Sequence, residues 1–147
     1  MLSRKVVATV FIVIALGLGG VFFAATTYPV GLSGYFQPEY YTQFGPLAIC
    51  VELLLAGGYL YFGHRKANFT LALFGFTVVA EVFFNLIGLS PTTIPLYARL
   101  ILLACSAVSL RLAFTNAYRL GRISALGAMG SFILGNLVEL FFNDLFV

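Results

Sequence analysis

Charge is what this chain has least of. Of its 147 residues only 9% are Asp, Glu, Lys or Arg, while 61% are hydrophobic. A water-soluble domain carries about 25% charged residues. Too little polar surface is present to face water, so the solvent for most side chains is lipid. The net charge of +3 does not point to nucleic acid, because the basic residues are scattered among short loops without a stripe. Cysteine is scarce too. Cys50 and Cys105 both fall inside apolar runs and read as small packing residues, with no zinc spacing. The one histidine, His64, sits in a basic loop and reads as solvated. No H-E-x-x-H helix and no phosphate-binding glycine loop occurs. Ser106 and Ser109 have no histidine near them in sequence. These gaps lean the reading away from an enzyme.

What is present is a series of long apolar runs. A chain of this length holds about five spans of roughly 20 residues, which leaves no room for a soluble domain. Residues 1–147 therefore read as one all-α transmembrane bundle, with helices at about 6–27, 46–62, 69–89, 96–115 and 123–146. The first run follows Arg4 and Lys5. It is longer than the roughly 7–15 apolar residues of a secretory signal, so it reads as a span, with Gly20 and Ala24 as a close-contact face. The connection at 28–45 is rich in Tyr and Phe, and Pro38-Glu39 predicts a short interfacial helix. It reads as an aromatic belt at headgroup depth or as a lid over a site below it. Lys and Arg occupy the head and the loops at 63–68 and 116–122, while the loops at 28–45 and 90–95 have none. That alternation places the N-terminus in the cytoplasm and the C-terminus outside, in a multi-pass protein of the plasma or inner membrane.

Against this background the polar residues inside the runs stand out. Ala80-Glu81-Val82-Phe83-Phe84-Asn85 returns as Val138-Glu139-Leu140-Phe141-Phe142-Asn143. A carboxylate and an amide four apart share one helix face, and a true repeat relates spans three and five by a parallel operation. Along span two, Ala48, Glu52 and Ala56 share a face, which turns the acid toward a neighbouring helix. Along span five, Gly127, Ser131, Gly135, Glu139 and Asn143 recur every four residues. At 1.5 Å per residue, Glu52, Glu81 and Glu139 lie roughly 9, 12 and 10 Å below the outer ends of their spans, and Arg99 about 5 Å in. Three acids on three helices are thus expected at one level, with Asn85, Asn136 and Asn143 nearby. An ionised acid near mid-bilayer costs about 2.5–3.5 kcal/mol, and three would rival the whole stability of a small protein. One Arg neutralises one Glu. The others need protons, a bound cation, or water from the outer face. Oxygen ligands without His or Cys suit a hard cation such as Na⁺, Ca²⁺, Mg²⁺ or Mn²⁺ at Glu52, Glu81 and Glu139, and argue against zinc, copper and haem.

Residues 12–63 also resemble the DoxX-like small membrane proteins. The likeness rests on Gly17 to Gly20, Phe36-Gln37-Pro38-Glu39, Glu52-Leu53-Leu54 and Gly63-His64-Arg65, about a third of the chain. That family usually has four spans. The resemblance implies a partner in a membrane redox complex, near quinone, and transfers no catalytic residue. Otherwise no organic cofactor is expected. Three readings stay open. The first is a small membrane protein whose acidic cluster binds a proton, cation or cationic solute, for transport or sensing. The second is a non-catalytic accessory subunit of a larger membrane complex, with the cluster as helix glue. The third is a membrane enzyme acting on a lipid or quinone. The partners expected are the bilayer and other membrane subunits or further copies of the chain.

Overall fold

A computed structural model of the chain describes residues 3–24, 31–36, 44–87, 96–115 and 123–142. Among them are five α-helices: α1 (Arg4–Ala24), α2 (Gly45–Tyr61), α3 (Ala67–Leu86), α4 (Leu96–Phe114) and α5 (Ala125–Phe142). A short 3-10 segment, Leu32–Phe36, lies between α1 and α2. The helix expected from Pro38 lies outside the described residues. Each helix matches one apolar run of the sequence. Three of them, α1, α3 and α4, are long and apolar enough to cross a membrane. The apolar stretches of the other two, Pro46–Tyr61 and Ala125–Val138, are shorter.

Local chemistry sets the helix ends. Ser3 caps α1, its hydroxyl accepting from the Val6 N–H at 3.2 Å, and Ser124 caps α5 through the Gly127 N–H at 3.0 Å. Each satisfies a donor that a helix start leaves orphaned. Pro46 opens α2, where its missing N–H costs nothing. The far end of α2 closes with two crossed bonds, Gly63 N–H to Leu60 O and His64 N–H to Tyr59 O. That closure needs a left-handed residue, and Gly63 supplies it at φ 66°. α3 ends at Leu86, with the Ile87 N–H bonded to Phe83 O, about one turn earlier than its apolar run suggests.

α3 is the hub. α1 packs on α2, α2 packs on α3, and α4 and α5 also pack on α3. Both flanks of α3 are accordingly buried, including Leu71, Phe74, Thr77, Val78 and Glu81. Close approach depends on small residues. A methyl on Gly57 would sit 2.9 Å from Ile12 and 3.2 Å from the Ala8 carbonyl, so α1 crosses α2 there. A methyl on Gly75 would strike Leu110 at 2.5 Å, which fixes the crossing of α3 and α4. The Ser106 hydroxyl donates to Gly75 O at 3.0 Å across the same contact.

The contacts also give direction. Gly19 meets Cys50 while Gly57 meets Ile12, so α1 and α2 are antiparallel. Arg99 meets Glu81 and Ser106 meets Gly75, so α3 and α4 are antiparallel. Gly130 meets Phe69, Phe132 meets Phe76, and Gly135 meets Thr77, so α5 runs parallel to α3. One end of the bundle therefore gathers the start of α1, the α2–α3 turn, the end of α4 and the start of α5. Large apolar side chains remain exposed along the outer faces, among them Val13, Leu16 and Phe23 of α1 and Leu126, Met129 and Ile133 of α5. Water-soluble monomers rarely expose apolar faces of that extent. With the three spanning-length helices, they mark a membrane protein.

Candidate functional site

Two acids enter the interior on adjacent helices. Glu52, midway along α2, is 9% exposed, and Glu81, on the last turns of α3, is 4% exposed. Their surroundings differ. Arg99 of α4 places Nη2 3.5 Å from Glu81 Oε1. Glu52 has no cation within ion-pair reach among the described residues, and its Oε2 is buried without a hydrogen-bond partner.

The polar neighbour of Glu52 is Thr77. The two side chains lie against each other across the α2–α3 contact. The Thr77 hydroxyl donates to Leu73 O, one turn back, at 2.8 Å. α5 closes over this group. A methyl on Gly135 would lie 3.0 Å from both the Thr77 amide nitrogen and its hydroxyl oxygen. Thr77 is therefore where α2, α3 and α5 converge.

The expected common level of the acids is revised by one turn. Glu52 sits against Thr77, and Glu81 is four residues farther along α3, about 6 Å nearer the end of the helix. Counting inward from span ends missed this, because it took the outer ends of the spans as level. The repeated segments do lie in register. Thr77 and Gly135 each stand four residues before their glutamate and touch. The backbone of Glu139 thus follows the contact by one turn, as Glu81 does. The Glu139 side chain and all of Asn143 lie outside the described residues.

Asn85 is half-buried, one turn beyond Glu81. Asn136 donates to Phe132 O at 2.8 Å within α5. Among the described residues, no three His, Cys, Asp or Glu side chains come together as metal ligands. The functional residue that sequence reasoning passed over is Thr77. Its spacing of four from Glu81 was visible, but only the fold brings α2 against it. Ser109 was set aside as well, and its hydroxyl is buried without a hydrogen-bond partner among the described residues.

Compared with protein-family models, curated proteins and solved structures, the chain matches none.

Proposed function

We propose that the protein is a non-enzymatic, multi-pass membrane protein that binds and releases a proton or small cation at Glu52, for transport or sensing. The observation that carries this reading is the buried Oε2 of Glu52, which has no hydrogen-bond partner among the described residues in an apolar bundle. Glu81 is compensated by Arg99. Glu52 has a hydroxyl and no counter-charge, and a lone carboxylate in lipid costs about 2.5–3.5 kcal/mol. A proton or cation removes that cost when bound and restores it when released. In this reading all five helices span the plasma or inner membrane, with the basic end cytoplasmic. Glu81 and Arg99 lie toward the outer face and set the field through which the ion arrives. The test is ion flux into vesicles holding the purified protein. Glu52→Gln should abolish proton- or cation-driven flux while helicity stays unchanged. Unchanged flux in that variant would remove Glu52 from the mechanism.

A second reading, an accessory subunit of a larger membrane complex, draws on α5. That helix is held almost entirely by α3 and leaves Leu126 82% exposed and Met129 62% exposed, a flank that suits another membrane chain. The DoxX-like pattern of residues 12–63 favours a redox complex as that partner. Co-purification of a stoichiometric partner in mild detergent would favour this reading over the first.

A further inference from the structure

The basic residues look scattered in sequence, but the fold draws four of them together. At the end where α1 begins and α2 turns into α3, the guanidinium of Arg4 rests against the Gly63 turn, where a methyl would collide with it. Lys5 holds its ammonium 5.5 Å from the Tyr61 ring centroid. Arg65 and Lys66 follow within the same turn, and both are exposed. His64 accepts from the Lys66 N–H through Nδ1 at 3.0 Å. No Asp or Glu occurs at positions 1–38 or 53–80. The nearest described acid, Glu52, is about 14 Å up α2 from Tyr61. The four cations therefore have no acidic partner at that end among the described residues. Directly beside them the surface is apolar, with Phe62 81% exposed and Val6 46% exposed.

We infer that this corner is a binding site for an anionic phospholipid. The phosphate sits among Arg4, Lys5, Arg65 and Lys66, and an acyl chain lies along Phe62 and Val6. A free phosphate would satisfy the cations but leave the adjoining apolar strip uncovered. An amphipathic anion satisfies both. Each basic residue near a membrane surface contributes about 1 kcal/mol toward anionic lipid, which is about fivefold in affinity.

Native mass spectrometry of the full chain, released from detergent, tests this with phosphatidylglycerol and phosphatidylcholine as probes. Wild type should retain phosphatidylglycerol in preference. Arg65→Gln with Lys66→Gln, and Arg4→Gln with Lys5→Gln, should each weaken that preference by about fivefold per cation removed. Exchanging the cations, Arg65→Lys with Lys66→Arg, should preserve it, and circular dichroism of every variant should show unchanged helicity. Equal retention of both lipids by wild type overturns the inference, as does a preference that survives both pairs of substitutions. Displacement of the lipid by inorganic phosphate as effectively as by phosphatidylglycerol also overturns it, because the occupant is then a soluble anion.

Discussion

Glu52 and Glu81 carry the same chemical group into the same bundle and meet different neighbours. Glu81 has Arg99 beside it, so substituting Arg99 leaves a buried acid alone and substituting Glu81 leaves a half-buried cation alone. Polar pairs inside membranes average about 0.6 kcal/mol and reach about 1.7. A double-mutant cycle of Glu81→Gln and Arg99→Gln, read by detergent-induced unfolding, should show coupling in that range; zero coupling would mean that the pair is not formed. Thr77→Val should behave differently. It removes the hydroxyl that touches Glu52 and costs about 1 kcal/mol of hydrogen bonding, yet it should also change the pH or cation dependence of flux. A pure stability loss with an unchanged ion dependence would reduce Thr77 to a packing residue. In the sequence Glu81 stands out, because it has an amide one turn away and an echo in Glu139. The fold makes Glu52 the better choice. The difference is a tertiary fact, since no local pattern reveals that Arg99 is spent on Glu81.

At the scale of the helices, the bundle depends on a few glycines at crossings. Gly135 lets α5 lie against the Thr77 backbone, and Gly57 lets α1 lie against α2. Gly135→Leu should cost about 1–3 kcal/mol through overpacking, and should disturb ion binding as well, because it lifts the cover from Thr77. Gly57→Leu should cost about as much without touching the site. Unfolding measurements and flux assays on the two variants separate these effects. Equal losses of flux would count against a cover role for α5. Gly63→Ala should cost about 1–2 kcal/mol because the position is left-handed. All five helices were legible as apolar runs, since lipid demands unbroken stretches of apolar residues. Their ends were less legible. α3 closes at Leu86, inside its apolar run, which hydropathy alone does not register. Of the stripe Gly127, Ser131 and Gly135, Gly135 meets Thr77 of α3 and Ser131 is buried, whereas Gly127 faces Ile123 and Ser124 just before it, and Asn136 turned back onto its own helix. An amide always has a carbonyl one turn away to bond, and sequence cannot rank that choice against a distant acid.

For the whole molecule, the alternation of helix directions is set by the contacts, and the proposed membrane orientation rests on charge. The cations Arg4, Lys5, Arg65 and Lys66 gather at one end, and the outward-facing side chains between the two ends are largely apolar. Cysteines placed by Ser33→Cys should react with an impermeant thiol reagent from the outside of intact cells. Those placed by His64→Cys and Thr115→Cys should react only after the cells are opened. Labelling of all three from one side would break the five-span arrangement. The scattering of basic residues in sequence concealed their meeting at this corner, because α1 and the α2–α3 turn are some sixty residues apart and come together only through helix packing.

The central claim is that a carboxyl without a counter-charge sits within the bundle at Glu52 and takes up an ion. Infrared difference spectroscopy of the protein in lipid, recorded as pH and sodium are varied, reads that group directly. The account predicts a protonated-carboxyl C=O band that responds to pH or sodium, shifts in Thr77→Val and disappears in Glu52→Gln. A spectrum in which Glu52→Gln removes no titrating carboxyl signal, of acid or of carboxylate, would contradict it.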